Sequence, residues 1–245
     1  MKLVMPEFRQ TPGWLPARWH ILLLPASSRP NHFSAWGLFV NARNAALLGT
    51  MLSISATLAW ARDTDSAMQQ AVTKIAVELC STCHRSQRDN NPALAPTLLG
   101  QQKPYLAWQL RAYRLRFRDD PQAHDQMWSP AGGIDDPLID ALAEYYASQP
   151  PTPGTSGDPA AIARGKELYE TGIPSRNIAG CTYCHGENGE GRGIFPRLAG
   201  QGTDYLVRQI SLIQEHLRNV GIMHSTVQGL SRDDIMAVAM FLQSK

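Results

Sequence analysis

Two five-residue stretches, CSTCH at residues 80–84 and CTYCH at residues 181–185, decide how this chain folds. They contain all four cysteines of the 245 residues, and in each the second cysteine is followed at once by a histidine. Two cysteines three positions apart on one helical turn can form thioethers to the vinyl groups on one edge of a porphyrin, and the histidine then projects beneath the ring. The stretches therefore predict two covalently bound c-type haems, with Cys80, Cys83, Cys181 and Cys184 as attachment points and His84 and His185 as axial iron ligands.

Other uses of a paired cysteine fit these stretches less well. A redox dithiol does not need the histidine that both stretches carry. A zinc site would place its two pairs roughly 15–20 residues apart, whereas the second pair begins at Cys181, far beyond Cys83. A disulfide within either pair would close a small, strained loop and stabilise little.

The chain after residue 62 is a tandem repeat. PTLLGQ at residues 96–101 matches PRLAGQ at residues 196–201, a spacing of 100 positions. At the same spacing Tyr105, Leu106 and Gln109 match Tyr205, Leu206 and Gln209. Towards the end of each repeat the spacing becomes 96, where Gly133, Ile139 and Ala141 match Gly229, Ile235 and Ala237.

The repeat predicts an all-α fold of two tandem domains, each built around one haem. No segment shows the alternation typical of a strand, and helix start signals precede the apolar stretches of both repeats. The Pro- and Gly-rich stretch 150–160 is predicted to be a linker between a first domain at residues 63–149 and a second at residues 161–245. Domains of this size have small cores, which a buried haem would complete.

A methionine in each repeat is predicted to be the second axial ligand, because Met and His are the usual choices. Met127 is the only methionine after the haem motif in the first repeat, and at the spacing of 96 it matches Met223. Each is expected in a loop before the last helix. The other methionines and histidines of these segments lack such a match: Met236 and Met240 fall on Asp140 and Glu144, and His124, His216 and His224 also fall on unlike residues.

Residues 1–62 are predicted to be a leader rather than part of the fold. Residues 45–61 form an uncharged run that follows a basic residue and ends in small residues, the pattern of a signal peptide cleaved near Ala61. An uncleaved membrane anchor is the alternative, although the run is at the lower limit for spanning a bilayer. Residues 1–39 fit neither pattern, so translation is expected to begin near Val40, with a true long leader as the competing account.

The charge distribution excludes one class of partner. Residues 1–61 carry five basic residues and one acidic residue, so the rest of the chain has two more acidic than basic residues. A nucleic-acid-binding protein would need a basic face to neutralise phosphates. We therefore expect no nucleic-acid partner.

The two haem motifs, the two P-x-L-x-G-Q stretches and the two late methionines together resemble the dihaem cytochrome c4 family of bacterial periplasmic electron carriers, over residues 63–245. The resemblance implies two class I cytochrome c folds with their haems near the domain interface. It also implies that the carbonyls of Pro96 and Pro196 accept a hydrogen bond from Nδ1 of His84 and His185. Tyr105 and Tyr205 would lie near the haem edge, with a plain core role as the alternative.

The segment before Met127 carries a cluster of four arginines: Arg111, Arg114, Arg116 and Arg118. It is more charged than its counterpart before Met223. A solvated helix face, a docking patch for an acidic partner and a set of haem-propionate counter-ions are the three interpretations.

The predicted function is electron transfer by a periplasmic dihaem cytochrome of a respiratory chain, and not catalysis. His/Met ligation would fill both axial positions of each iron and leave no site for a substrate. By resemblance, a respiratory complex is the donor and a terminal oxidase the acceptor, with membrane association if the leader is uncleaved. One alternative is an electron-accepting subunit of a dehydrogenase, as in flavocytochrome c sulfide dehydrogenase. Another is a dihaem enzyme such as a peroxidase, against which the paired methionines argue.

Overall fold

The computed structural model describes residues 65–84 and 95–245, which belong to one compact unit. The predicted leader, its uncharged run and the expected start near Val40 lie outside the described residues. Within the two described ranges, none of the helices is long and apolar enough to cross a membrane.

Both repeats are helical, and the described residues contain two isolated β-bridges but no strand. The first repeat contains α1 over residues 65–78, α2 (Lys103–Arg114), α3 (Trp128–Gly132) and α4 (Asp136–Ala147). The second contains α5 (Pro159–Thr171), α6 (Thr182–His185), α7 (Thr203–Gln214), α8 (Gly221–Val227) and α9 (Arg232–Gln243). Two 3₁₀ turns (Cys80–Thr82 and Pro174–Arg176) and one π-helical turn (Ala123–Met127) complete the order.

Local capping explains where the helices that frame the second repeat begin. The side chain of Asp158 accepts hydrogen bonds from the first turn of α5, and Pro159 has no N–H to leave unsatisfied there. At α9, Ser231 and Asp234 cap each other's backbone N–H groups reciprocally. In the first repeat, Asp135 caps α4 alone, through a 3.0 Å bond from Leu138 N.

Each repeat has its own hydrophobic core, formed where its first and last helices cross. The first core includes Val72, Ala76, Leu106, Ile139 and Leu142, and the second includes Tyr169, Leu206, Val238, Phe241 and Leu242. In the first repeat Tyr146 Oη donates to Ala76 O at 3.2 Å across this crossing. In the second, a Cβ on Gly165 would collide with the carbonyl of Ala237, so glycine allows α5 and α9 to approach closely.

The helices α2 and α7, at matching positions of the two repeats, end in the same way. Arg116 and His216 follow the two helices and take left-handed φ angles of 59° and 57°. The next residues, Phe117 and Leu217, donate their N–H groups back to the helices at 2.8 Å and 2.9 Å. These bonds satisfy carbonyls that a helix end leaves open, and the turn sends the chain back along its own helix.

The predicted linker is packed between the two repeats. Thr152 is 5% exposed, and its hydroxyl is 2.7 Å from that of Thr97. A Cβ on Gly100 would collide with Pro151, and one on Gly200 with the carbonyl of Thr152. Both glycines have positive φ angles, 67° and 75°, so the two matching turns need glycine for space and for conformation.

The expected methionine loops are helical in the structure. Met127 is the last residue of the π-helical turn that leads into α3, and Met223 lies in the first turn of α8. The expectation of loops was wrong because the Pro, Gly and charged residues before each methionine mark only the helix starts. Both methionine side chains are half-buried.

Candidate haem sites

The first haem motif comes just after α1, and the second is separated from α5 by residues 172–180. Each motif forms a single turn. The backbone N–H of His84 donates to the carbonyl of Cys80 at 2.9 Å, and that of His185 to the carbonyl of Cys181 at 3.0 Å. Each histidine is therefore held one turn after the first cysteine of its motif, as the spacing predicts. None of the four cysteines, all in the described ranges, forms a disulfide.

The two histidine rings are oriented by proline carbonyls. Nδ1 of His84 lies 2.8 Å from the carbonyl oxygen of Pro96, and Nδ1 of His185 lies 2.9 Å from that of Pro196. Burial lowers the pKa of both imidazoles, and the hydrogen bond to the carbonyl offsets part of this effect. Each neutral ring thus donates through Nδ1–H and keeps the lone pair of Nε2 for a metal.

The second site fits a haem iron on an independent observation. His185 is 6% exposed, and its buried Nε2 has no hydrogen-bond partner among the residues that the structure describes. A buried acceptor without a partner is costly unless another group binds it, and iron bound at the lone pair is such a group. Burial also raises the pKa of Cys181 to about 11, so its thiol is uncharged in the packed motif.

The histidine that lies next to Met223 is occupied by other contacts. Nδ1 of His224 donates to the carbonyl of Ile213 at 2.8 Å, and its Nε2 accepts from Val220 N at 3.3 Å. Both ring nitrogens are therefore used in holding the segment that carries Met223. The sequence prediction that Met127 and Met223 are the second axial ligands stays a prediction.

Gln101 and Gln201 connect the two haem sites. The amide of Gln201 bonds to the backbone of Thr97 in both directions, at 3.1 Å from Thr97 N and 2.8 Å to Thr97 O. The amide of Gln101 bonds in the same way to Arg197, at 2.6 Å and 2.9 Å. The two glutamines are 5% and 3% exposed, and each pairs with the residue that follows the other repeat's proline.

A second layer of contacts between the repeats contains two arginines. Arg118 donates to Gln109 of its own repeat at 2.6 Å and to Gln209 of the other at 3.0 Å. Arg218 donates to Gln209 at 2.5 Å and to Tyr105 Oη at 3.2 Å. The turns after α2 and α7 direct both arginines back to these partners. Tyr105 therefore has a polar role between the repeats rather than a plain core role.

The arginines before Met127 are engaged within the chain. Arg111 and Arg114 pair with Asp136 on α4, at 2.9 Å and 2.8 Å, and Arg116 lies over the ring of Trp128. The side chain of Arg118 is only 11% exposed, so the expectation of a solvated helix face is wrong for that residue. The helical pattern suggested exposure, but the turn after α2 folds Arg118 inward.

Arg218 offers a second point of fit to a haem. It is 8% exposed, its Nε has no hydrogen-bond partner, and no ion pair joins it to a carboxylate within residues 95–245. A buried cation needs a compensating negative charge. The propionate groups of a haem carry such a charge.

Comparisons with known proteins agree with this geometry. A sequence profile described as Cytochrome c matches residues 162–245. Over 212 residues the chain is 33% identical to the cytochrome c4 of Azotobacter vinelandii, an alignment that covers 82% of this chain and 98% of that protein. The chain belongs to the cytochrome c4 family. Its structure is similar to that of Acidithiobacillus ferrooxidans cytochrome c4, with a TM-score of 0.64 and 33% identity over 68% of this chain and 98% of that one.

Membership of the cytochrome c4 family confirms the predicted fold class, cofactor and function. The chain is an electron carrier rather than an enzyme, with two class I cytochrome c domains in tandem and two covalently bound haems c. Its partners are redox proteins. One further relative, from Thiomonas intermedia (strain K12), is named "Thiosulfate dehydrogenase electron acceptor" and is 32% identical over 173 residues, covering 68% of this chain and 78% of that protein.

Two pairs of matching polar residues lie between the repeats, and neither pair was predicted to have a role there. Gln101 and Gln201 were part of the repeat, and Arg118 and Arg218 also match at the spacing of 100. A polar residue that recurs at matching positions of a duplicated chain is the signal that predicts a contact between the copies. All four residues lie at the contact between the repeats.

Proposed function

We propose that this cytochrome works in the periplasm and holds its two haem irons with His84 and Met127 in the first repeat and His185 and Met223 in the second. The cofactors would be attached covalently, through Cys80 and Cys83 in a domain at residues 63–149 and through Cys181 and Cys184 in a domain at residues 161–245. The observation that carries this proposal is the duplicated pairing of each motif histidine with a proline carbonyl, together with the buried, unpartnered Nε2 of His185.

A haem iron bound in these sites supplies a reversible one-electron change. The chain's own residues keep the site closed to other chemistry. The proline carbonyls fix the imidazole rings, so that Nε2 stays unprotonated and aimed at one position. Met127 and Met223, on helices that are held to the rest of each repeat, would supply the second iron ligand and so exclude a substrate.

For the partners, we propose a respiratory complex as donor and a terminal oxidase as acceptor. A second candidate is a donor of the dehydrogenase class, which the similarity to the thiosulfate dehydrogenase electron acceptor of Thiomonas intermedia favours. That relative's name gives no support to a flavoprotein donor. Reduction of the purified cytochrome by each class of donor would separate the two candidates.

The ligand set is tested by Met127→Ala and Met223→Ala in the holoprotein, with Met236→Ala as the matched control because Met236 is exposed on α9. Each ligand variant should lose half of the weak far-red absorption from methionine bound to ferric iron, and should bind carbon monoxide at one haem. The control should keep full intensity and bind none. Full intensity in either ligand variant would overturn the assignment of that methionine.

A further inference from the structure

The cross-repeat glutamine pairs involve the peptide groups that orient the histidine rings. The carbonyl of Pro96 and the N–H of Thr97 belong to one planar peptide unit. Its oxygen accepts from His84 Nδ1 at 2.8 Å, while its N–H donates to Gln201 Oε1 at 3.1 Å. The unit thus connects a histidine of the first repeat with a glutamine of the second.

The other repeat has the same arrangement. The peptide unit between Pro196 and Arg197 accepts from His185 Nδ1 at 2.9 Å and donates to Gln101 Oε1 at 2.6 Å. Each glutamine is therefore connected, through one peptide unit, with the histidine of the other repeat.

A peptide group that donates a hydrogen bond through its N–H becomes a better acceptor at its oxygen, because successive hydrogen bonds polarise one another in a buried site. A better acceptor draws the histidine proton more strongly and leaves more negative charge on the ring. An axial ligand with more negative charge stabilises ferric over ferrous iron and lowers the reduction potential.

We propose that Gln101 and Gln201 are positioning residues that set the reduction potential of the haem in the opposite repeat. Gln201 acts on the first haem through Pro96 and His84, and Gln101 acts on the second through Pro196 and His185. The inference rests on the proposed ligation by the two histidines.

A role within the glutamine's own repeat is the competing account. Gln101 Oε1 also accepts from the N–H of Gln102 at 2.9 Å, a contact inside the first repeat. The two accounts differ in which haem changes when a glutamine is replaced.

The experiment uses the full holoprotein with Gln201→Met and Gln101→Met, which keep the side-chain length and remove the amide. Gln102→Met is the matched control, because Gln102 Nε2 also crosses between the repeats, to Glu190 O at 3.0 Å. The peptide unit that it touches accepts no hydrogen bond from Nδ1 of His84 or His185, which bond to Pro96 and Pro196. The readouts are the reduction potential of each haem, followed separately by its haem-methyl proton resonances, and the Nδ1–H resonances of ¹⁵N-labelled histidine in the reduced protein.

Gln201→Met should raise the potential of the first haem and move the Nδ1–H resonance of His84 upfield, with the second haem unchanged. Gln101→Met should raise the potential of the second haem and move the Nδ1–H resonance of His185 upfield, with the first haem unchanged. The control should change neither haem. The expected shift in the reduced-to-oxidised ratio is up to about tenfold, which corresponds to about 59 mV for one electron. A larger change in the glutamine's own repeat, equal changes in both haems, or no change would overturn the inference.

Gln201→Glu covers the case in which Gln201→Met does not fold with two haems. The oxygen that replaces Nε2 faces the carbonyl oxygen of Thr97 and must carry a proton there, so the buried side chain is a neutral carboxylic acid. Its carbonyl is a weaker acceptor than that of the amide, so the His84 Nδ1–H resonance should move upfield while that of His185 stays in place. Failure of the proposed function is distinguishable, because the unmodified protein would then lack the resonances of iron-bound His84 and His185. Normal resonances in the unmodified protein with no crossed effect in the variants would overturn only the role of the glutamines.

Discussion

The two repeats bury an arginine at the same position but neutralise it differently. In the first repeat Arg118 forms a 2.8 Å ion pair with Asp120, which is 0% exposed. In the second, Arg218 matches Arg118, but Val220 stands where the first repeat has Asp120. One buried cation is therefore neutralised by a protein carboxylate, and the other pairs with none among residues 65–84 and 95–245.

This difference shows that a duplicated scaffold can keep its geometry while its charges diverge. The helix ends, the left-handed turns and the arginine-to-glutamine contacts are the same in both repeats. The carboxylate two positions after the arginine is present only in the first repeat. A buried positive charge favours the reduced state of a nearby haem iron, so the two repeats provide unequal electrostatic surroundings.

The largest change in stability is expected from breaking the ion pair between Arg118 and Asp120. Arg118→Met removes the partner of a fully buried carboxylate and should lower the free energy of unfolding by about 3–5 kcal/mol. Denaturant unfolding of the holoprotein measures the loss. The double variant Arg118→Met with Asp120→Asn should recover most of it, because no unpaired buried charge remains. A single variant as stable as the double variant would contradict the role given to the pair.

A second difference between the repeats predicts an acid-dependent stability of the second one. Burial alone would raise the pKa of Asp234, but hydrogen bonds from Ser231 and ion pairs with Arg176 and Arg164 outweigh it and hold the pKa well below its usual value. A carboxyl with a depressed folded-state pKa contributes stability above its unfolded value of about 3.9, and this stability is lost as the pH falls below it.

Asp234→Asn should therefore cost about 2 kcal/mol near pH 7, the range for hydrogen bonds to a charged group, and should flatten the fall in stability below about pH 4. The matching residue of the first repeat is Leu138, so Leu138→Ala serves as a control that lowers stability equally at all pH values. Unfolding midpoints measured between pH 2 and pH 7 compare the two. A variant that keeps the acid dependence of the original protein would contradict the role of Asp234.

The smallest free-energy change is expected for Arg218, and it concerns the reduction of a haem rather than unfolding. A unit charge contributes about 1.7 kcal/mol at about 10 Å in a medium of effective dielectric constant about 20, or about 70 mV for one electron. Arg218→Met should therefore lower a haem potential by tens of millivolts, since loss of a positive charge favours ferric iron. Spectroelectrochemical titration measures the shift.

The double variant of Arg118 and Asp120 is the matched control for Arg218→Met, because it removes one charge of each sign. Its potentials should stay close to those of the original protein. Val220→Asp adds the missing carboxylate and should lower a potential in the same direction as Arg218→Met. An unchanged potential on replacing Arg218 would contradict an effect of its charge on a haem.

Much of this molecule could be predicted from local sequence patterns. The haem motifs specify a turn by their own spacing, and the Asp158 and Ser231 caps mark helix starts that the structure has. The carbonyl partners of His84 and His185 came from the family resemblance and are present in the structure. These features depend on short stretches of chain, so a single sequence contains the information.

Contacts between the repeats could not be predicted in the same way. Arg118 follows three other arginines and resembles a solvated residue, and only the left-handed turn at Arg116 directs it inward. A non-glycine residue in that conformation has no strong sequence signal. The pairing of Gln201 with Thr97 likewise depends on how two separately folded cores meet.

The reciprocal glutamine pairs also bear on the order in which the protein is made. Translation at about 5–20 residues per second produces the first haem motif and the turn at Thr97 some 5–20 s before the hundred residues that end at Gln201. Throughout that interval the N–H of Thr97 lacks Gln201, its acceptor in the folded protein. The first haem site therefore acquires its final surroundings only when the second repeat has been synthesised and docked. The two sites are synthesised one after the other, but their cross-repeat hydrogen bonds form together when the repeats dock.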